Sequence, residues 1–243
     1  MSRNAYTAVS AVYDRLTDKK LYEKWKDRSV EVLSAYPRLK RGLDVACGSG
    51  FFTIAQKKAG YNVVGVDFSE EMLSKARENC DREKLNIPFL RQDMAALKVF
   101  EKVDYITVIN DGVSYLDDRS LSRAFKSFYK ALNSGGILYF DFSTEYRLKN
   151  VIGNNVFAED YDDLTFLWFN ELRCDSVKMD ITVFLKEGEK YVRSDETQIQ
   201  FIRSLSSIKE ELIKAGFEKI KACAFFGGEI TPETERIEIV AEK

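Results

Sequence analysis

An apolar strand that runs directly into a turn with two glycines constrains this chain more than any other feature. The segment from Leu43 to Gly50 reads LDVACGSG, and a helical pattern follows it. Gly48 and Gly50 lack a Cβ atom, so the backbone at these positions can approach a ligand closely. The following helix presents unpaired N–H groups and the positive end of its dipole to the turn. The segment therefore predicts a binding site for a nucleotide-containing cofactor.

Carboxylates stand at the ends of the next two predicted strands, at Asp67 and Asp93. A carboxylate at the end of the second strand can accept hydrogen bonds from both hydroxyls of a ribose. An NAD site uses the same features, but its fingerprint needs a third small residue where this chain has Thr53. A P-loop is excluded because no Gly-Lys-Ser/Thr sequence follows the turn.

Histidine is absent from all 243 residues of the chain. Its absence removes the commonest general base, the commonest metal ligand and every Ser-His or Cys-His nucleophile. The four cysteines form no C-x-x-C pair, which argues against a zinc site and a disulfide framework. We therefore predict no metal site and four free thiols, at Cys47, Cys80, Cys174 and Cys223.

Charge and hydropathy limit the partners of the chain. The formal net charge is -2, and the basic residues form no block of the kind that nucleic-acid binding requires. The first residues lack the apolar segment of a signal peptide, and no apolar run is long enough to span a membrane. We expect a cytoplasmic protein, a monomer or a homodimer, with neither a nucleic acid nor a membrane as its partner.

Strands and helices alternate after residue 40. Leu121, Phe125 and Phe128 share one apolar face of a helix with Leu132. Short links between alternating elements predict an α/β fold with a doubly wound, mostly parallel sheet. The predicted strands lie near 41–46, 62–66, 87–92, 103–109 and 136–142, and the helices near 51–59, 69–80 and 118–132.

The pattern changes between residues 143 and 204. Apolar side chains alternate strictly with mostly polar ones from Val177 to Leu185, which predicts antiparallel sheet. We predict strands near 165–173, 177–185 and 190–201, with a turn at 187–190. A helix near 206–215 and two strands near 217–225 and 235–241 then complete a seven-stranded core sheet.

The predicted domains are therefore a core, 1–142 with 205–243, and an antiparallel β insert at 143–204 after strand five. The aromatic residues Phe166, Trp168 and Phe169 suit this insert to a lid that lines an acceptor pocket. A decorative hairpin or a dimer interface is the alternative. Before the first strand, helices are predicted up to Pro37, with apolar faces at Val9, Val12, Tyr13 and Leu16, and at Leu21, Trp25, Val32 and Leu33.

The runs 43–53, 63–73 and 91–94 resemble the class I S-adenosylmethionine-dependent methyltransferases. A Val-Tyr-Asp-x-Leu segment at 12–16 and a Tyr-x-x-Trp pair at 22–25 are similar to those of small bacterial methyltransferases. These include enzymes without an assigned substrate and amino-sugar N-methyltransferases. The resemblance covers nearly the full chain and implies a Rossmann-like methyltransferase fold, a helical cap at the N-terminus and S-adenosylmethionine as the cofactor.

The resemblance also implies roles for single residues. Asp44 would brace the glycine turn near the aminoacyl part of the cofactor, Asp93 would hold adenine, and Tyr13 would reach the methionine carboxylate. The alternatives are a plain strand residue at Asp44, a solvated loop aspartate at Asp93, and core aromatics at Tyr13 and Trp25. The predicted cofactor-binding residues are Tyr13, Trp25, Asp44, Ala46, Cys47, Gly48, Gly50, Asp67, Phe68, Met72, Asp93, Met94 and Asn110.

The segment after strand four lies at the carboxyl edge of the sheet, where α/β enzymes place their chemistry. It lacks the Asn/Asp-Pro-Pro-aromatic sequence of nucleobase amino-methyltransferases and the cysteine of pyrimidine C5-methyltransferases. Asp111 and Tyr115, with Asp141 from the next strand, are predicted to orient or deprotonate an acceptor, or else to cap loops. Asp111 and Tyr115 are the predicted catalytic residues.

These features predict transfer of a methyl group from S-adenosylmethionine to a nitrogen or oxygen of a small molecule by in-line displacement. An amine acceptor needs little acid–base assistance, which suits a chain without histidine. Two alternatives remain: a methyltransferase that acts on a protein or a tRNA, and a non-catalytic regulator that binds the cofactor.

Overall fold

A computed structural model describes Arg15 and residues 18–243. Strands and helices alternate in it after residue 40, as predicted. The helices are α1 (Lys19–Ser34), α2 (Phe51–Lys58), α3 (Glu70–Arg82), α4 (Asp118–Ala131) and α5 (Leu205–Ala215). The strands are β1 (Arg41–Val45), β2 (Asn62–Asp67), β3 (Phe89–Arg91), β4 (Val103–Val108), β5 (Leu132–Ser143), β6 (Val156–Tyr161), β7 (Leu164–Leu172), β8 (Ser176–Glu187), β9 (Lys190–Phe201), β10 (Glu218–Ala224) and β11 (Arg236–Glu242).

Seven strands form the core sheet in the order β10-β11-β5-β4-β1-β2-β3. Strands β1 to β5 pair in parallel, whereas β11 runs antiparallel to both of its neighbours. This confirms the predicted doubly wound sheet of the Rossmann-like methyltransferase fold. The chain leaves β1 toward β2 on one side and returns to β4 on the other, so a crevice opens at the carboxyl ends of β1 and β4.

Helix α4 packs its predicted apolar face on the sheet. Leu121, Phe125 and Phe128 are each at most 1% exposed and belong to the largest hydrophobic cluster. The helix ends at Ala131, and Leu132, which we predicted as its last core residue, begins β5 instead. Burial of these large side chains contributes about 1.5–3 kcal/mol each, so the sheet and α4 form a stable base for the loops at the carboxyl edge.

The insert is a separate sheet of four antiparallel strands in the order β6-β7-β8-β9. The predicted turn at 187–190 is present, with Gly188 at a φ of 65° between β8 and β9. Strand β6 was not predicted. All six of its residues are exposed, so its sequence carries no alternation of apolar and polar positions.

Helix α1 is capped at its start by Asp18, whose carboxylate accepts hydrogen bonds from the backbone N–H groups of Lys20 and Leu21. Trp25, Val32 and Leu33 are buried as predicted, but Leu21 is 40% exposed. The predicted helix face at Val9, Val12, Tyr13 and Leu16 lies outside the described residues. None of the described helices combines the length and the apolar character of a membrane-spanning segment.

Candidate active site

The glycine turn is fastened to the second strand by Asp67. One carboxylate oxygen of Asp67 accepts from the backbone N–H of Gly48 at 2.9 Å, and the other accepts from the backbone N–H of Ser69 at 2.9 Å. Burial raises the pKa of Asp67, while these hydrogen bonds oppose the rise. Because each carboxylate oxygen accepts more than one hydrogen bond, Asp67 can hold the turn and still accept from a ribose.

The two glycines have different roles. Gly48 has a φ of 54° and lines the cleft above the turn. Gly50 has a φ of 80° and lies against α3, where an added Cβ would come within 3.0 Å of the Ala76 Cβ. Both positions favour glycine through their backbone conformation, but only Gly48 meets the cleft. Gly50 instead allows α2 and α3 to pack closely.

Asp44 lies beneath the turn and is 1% exposed. Its carboxylate accepts from the hydroxyls of Thr53, at 2.5 Å, and Thr107, at 2.8 Å. These bonds link β1 to the first turn of α2 and to β4, which is the bracing position that the resemblance implies. Burial raises the pKa of Asp44 to about 6 despite the two hydrogen bonds.

The raised pKa of Asp44 predicts a specific pH dependence of stability. The folded protein retains a proton up to about pH 6, whereas the unfolded chain loses it near about pH 3.9. This group therefore lowers the free energy of unfolding as the pH rises through that window, and the loss is complete above the folded pKa. The asparagine of Asp44→Asn does not ionise in this pH range. From about pH 4.5 to about pH 7.5, the free energy of unfolding of the variant should fall less than that of the wild type, by about 1–3 kcal/mol.

Urea unfolding of both proteins at the two pH values tests this prediction. Asp81→Asn, at an exposed position near the end of α3, is the matched control and should follow the wild type. Parallel pH dependences for the wild type and Asp44→Asn would contradict the assignment of a raised pKa to Asp44.

A cleft opens above the glycine turn at the carboxyl ends of β1, β2 and β4. Seven predicted cofactor-binding residues line it: Ala46, Cys47, Gly48, Asp67, Phe68, Met72 and Asn110. The predicted catalytic residue Tyr115 lines it as well. Its other lining residues were not predicted as site residues; they are Tyr22, Ser49, Phe51, Phe52, Ser69, Ile109 and Gly112.

The cleft combines a carboxylate, which suits ribose hydroxyls, with apolar walls, which suit a base. Asp67 provides a carboxylate, whereas Phe51, Phe52 and Met72 provide apolar walls. The adjacent pair at 51–52 was a usable signal, because aromatic residues in the first turn of α2 must lie beside the glycine turn. We call this space the cofactor cleft.

Five predicted cofactor-binding residues that the structure describes do not line the cofactor cleft: Asp44 and Gly50, whose positions are given above, and Asp93, Met94 and Trp25. Asp93 is exposed, and its carboxylate accepts from the backbone N–H of Ala95 at 2.8 Å. Met94 is buried in the main core. Trp25 lines a neighbouring cavity instead. Adenine binding by Asp93 and Met94 stays a prediction, and Tyr13 lies outside the described residues.

The turn after β4 has an uncommon backbone. Asn110 and Asp111 are consecutive non-glycine residues with φ of 67° and 66°, and such left-handed conformations are costly. Asp141 stabilises the turn by accepting from both of their backbone N–H groups, at 2.7 and 3.2 Å. The predicted strand-end pair Asp111 and Asp141 is therefore brought together.

A partly buried arginine joins these two carboxylates. Arg236 at the start of β11 donates to Asp111 at 2.5 Å and also to Asp141. Its guanidinium carbon lies 4.6 Å from the centroid of the Trp25 ring. Ser143 donates to the two oxygens of Asp111 through its backbone N–H, at 2.5 Å, and its hydroxyl, at 3.0 Å. Both oxygens of Asp111 thus accept hydrogen bonds within the protein.

A second cavity, of about 670 Å³, lies between the core and the insert. We call it the insert cavity. The core contributes Trp25, Asp111 and Arg236, among others, and the insert contributes one face of its sheet. The residues on that face are Phe166, Trp168, Met179, Ile181, Gln198 and Gln200.

Phe166 and Trp168 therefore line the cavity as expected of a lid, whereas Phe169 is 45% exposed and does not line it. The reason is the period of two along β7, which turns Phe169 to the opposite face from its neighbours Trp168 and Phe166.

The cofactor cleft and the insert cavity share a border. Tyr22, Asn110 and Tyr115 line both of them. The side-chain amide of Asn110 donates to the Tyr22 hydroxyl at 2.8 Å, which joins α1 to the turn after β4. We call this border the port.

Comparison with known proteins identifies the family of this chain. The methyltransferase domain family matches residues 43–136, the segment that carries the glycine turn, Asp67 and the port residues Asn110 and Tyr115. A protein of Geobacillus sp. (strain WCH70) that is named as a methyltransferase is 30% identical over 98% of this chain and 99% of its own length.

Two solved structures are also similar. A structure described as an S-adenosylmethionine-dependent methyltransferase from Clostridium acetobutylicum ATCC 824 is 30% identical, with a TM-score of 0.88 over 98% of this chain and 99% of its own. CalS10, described as an amino pentose methyltransferase from Micromonospora echinaspora, has a TM-score of 0.76 at 16% identity over 99% of both chains, which shows the shared fold. The match in sequence and fold along the full chain shows that this protein belongs to the S-adenosylmethionine-dependent methyltransferases.

Proposed function

We propose that this enzyme transfers the methyl group of S-adenosylmethionine to a nitrogen or oxygen atom of a small molecule. The shared border of the cofactor cleft and the insert cavity carries this proposal. A cofactor in the cleft and an acceptor in the insert cavity would meet at Tyr22, Asn110 and Tyr115. A cavity of about 670 Å³ has the size of a small-molecule site, which favours a small acceptor over a protein or a tRNA.

The residues of the chain contribute alignment and exclusion of water. When bound, the cofactor supplies a methyl group that its sulfonium already activates. Asp67 would bind the ribose, and the port would align the acceptor atom with the methyl group. Alignment of this kind lowers a reaction barrier by about 7–11 kcal/mol, and it requires no histidine.

Asp111 is proposed to hold the turn after β4 rather than to accept a proton. Its two oxygens accept from Ser143 and Arg236, and the turn carries Asn110 to the port. Tyr115, which borders both spaces, remains the predicted residue in contact with the acceptor.

Transfer of tritium from methyl-labelled S-adenosylmethionine tests the proposed function. The full-length protein is incubated with a cell extract that has been separated into small molecules, protein and RNA. We expect the label to enter the small-molecule fraction. Label only in protein or RNA would favour a macromolecular acceptor, and no transfer to any fraction would favour a non-catalytic regulator.

We also predict that turnover is insensitive to EDTA. Among the described residues, no three His, Cys, Asp or Glu side chains cluster in a way that could hold a metal ion. Asp111 and Asp141 already share the guanidinium of Arg236, so a positive charge occupies the position that a metal would take. The rate of tritium transfer, measured with and without EDTA, should be equal. Loss of activity in EDTA with recovery on addition of magnesium would contradict this account of the carboxyl edge.

A further inference from the structure

Resting on the proposed function, we propose that the acceptor is an amine with an apolar body and no phosphate, methylated on its nitrogen in the insert cavity. The charges of the cavity, the fate of the charge during transfer, and the chemistry of the insert face each support this class of acceptor.

The described residues that line the insert cavity carry more negative than positive charge. Its lining contains three carboxylates, two guanidinium groups and no lysine. Arg236 is paired with Asp111 and Asp141, and Arg147 is paired with Glu235. Three N–H groups of the lining, Trp25 Nε1, Arg147 Nε and Trp168 Nε1, have no hydrogen-bond partner. Both guanidinium groups are nevertheless paired with carboxylates that would repel a phosphate, so the balance of charge disfavours nucleotide-linked and phosphorylated acceptors.

Methyl transfer to an amine moves a positive charge into this cavity. The nitrogen lone pair forms the new N–C bond, the C–S bond breaks, and its electron pair stays on sulfur as the thioether. The sulfonium charge is thereby replaced by an ammonium charge on the acceptor side of the port. The excess carboxylate among the lining residues stabilises that charge, most strongly where water is excluded.

A hydroxyl acceptor would make a different demand. Its oxygen must lose a proton as the bond forms, so a base is needed in reach of the port. The chain has no histidine, and both oxygens of Asp111, the carboxylate next to Asn110 in the turn, accept from Ser143 and Arg236. An amine reacts in its neutral form, in which the nitrogen lone pair is free. The proton of its ammonium form passes to water before the transfer, so no base is needed within the site during the step.

The insert face of the cavity suits an apolar body with neutral polar groups. Phe166, Met179 and Ile181 present apolar surface. Trp168 Nε1 and Gln200 Oε1 are buried without a hydrogen-bond partner, and each such atom is costly unless a ligand satisfies it. Both are neutral groups, which match a hydroxyl, an ether or an amide of the acceptor rather than a second charge.

The inference is tested by the binding of three probes that share a phenylbutyl group and differ only in their polar end. The complex of the full-length protein with S-adenosylhomocysteine is titrated in a calorimeter with 4-phenylbutylamine, 4-phenylbutanol and 4-phenylbutyl phosphate. We expect the amine to bind at least about tenfold tighter than the phosphate, with the alcohol between them. Equal or tighter binding of the phosphate, or no binding of any probe, would overturn the inference.

Two variants locate the effect. Glu235→Gln releases Arg147 from its ion pair, so the amine should lose about threefold in affinity and the phosphate should gain about threefold. Glu233→Gln, at an exposed position outside the lining, is the matched control and should bind all probes as the wild type does. Unchanged probe affinities in Glu235→Gln would show that the charges of the lining residues do not select the acceptor.

Transfer of tritium to the same probes separates this inference from the proposed function. Label on the amine, with none on the alcohol, is the expected result. Label on the alcohol or the phosphate in preference to the amine would overturn the inference and leave the proposed function standing. No label on any small molecule, in this set or in the cell extract, would overturn the proposed function as well.

Discussion

Replacement of Asp67 by alanine is expected to weaken the binding of S-adenosylhomocysteine by about tenfold to a hundredfold, or about 1.5–3 kcal/mol. The change removes the charged acceptor for two ribose hydroxyls. It also removes the bonds that hold the N–H groups of Gly48 and Ser69, so the glycine turn is less well ordered before binding. Calorimetry on the folded variant measures the loss.

Three controls sharpen this measurement. Asp67→Asn keeps one carbonyl oxygen as an acceptor and should lose less affinity than Asp67→Ala. Asp81→Ala, at an exposed position on α3, should bind as the wild type does. NAD should not bind the wild-type protein, because the turn lacks the third small residue of the NAD fingerprint at Thr53. Unchanged affinity in a folded Asp67→Ala protein would contradict the cofactor site.

Replacement of the insert is expected to abolish methyl transfer while cofactor binding persists. In a variant with a Gly/Ser linker in place of residues 147–202, S-adenosylhomocysteine should bind within about tenfold of its original affinity, or about 1.4 kcal/mol. The cofactor cleft consists only of core residues, whereas the insert provides one wall of the insert cavity. Calorimetry and tritium transfer to the acceptor give the two readouts.

The bounds of this replacement follow from the structure and are narrower than the predicted insert of 143–204. Ser143 donates to Asp111, and Arg203 donates to the carbonyl of Leu116 and to Asp118, so all these residues belong with the core. Trp168→Ala in the intact chain is the smaller change, and it should lower kcat/KM without altering cofactor affinity. Retained transfer without the insert, or loss of cofactor binding by a folded variant, would contradict the proposed role of the insert as a lid over the acceptor.

The core of the fold was predictable because its signals are local. A period near 3.6 identified α4, and alternation of apolar and polar positions identified β8. Short links between alternating elements then predicted the doubly wound, mostly parallel sheet. Strand β6 carries no such signal, since all its residues face solvent and its pairing with β7 alone places it in the sheet.

The candidate site was predictable in part for the same reason. Asp67 and the glycine turn are close in sequence and are linked by one strand and one helix. Arg236 lies 125 residues from Asp111, and no local pattern marks it as a partner. Arg236 comes close to Asp111 only because β11 pairs with β5. The hydrogen bonds that hold Asp111 within the protein were therefore not predictable from the sequence.

A crystal structure of the protein with S-adenosylhomocysteine bound would show whether the methyl group passes from the cofactor cleft to the insert cavity between Tyr22, Asn110 and Tyr115. We expect the sulfur to lie in contact with these side chains, within about 4.5 Å, and to be open toward the insert cavity. A sulfur that points away from the port, with α1 or the turn after β4 closed between it and the insert cavity, would contradict the account.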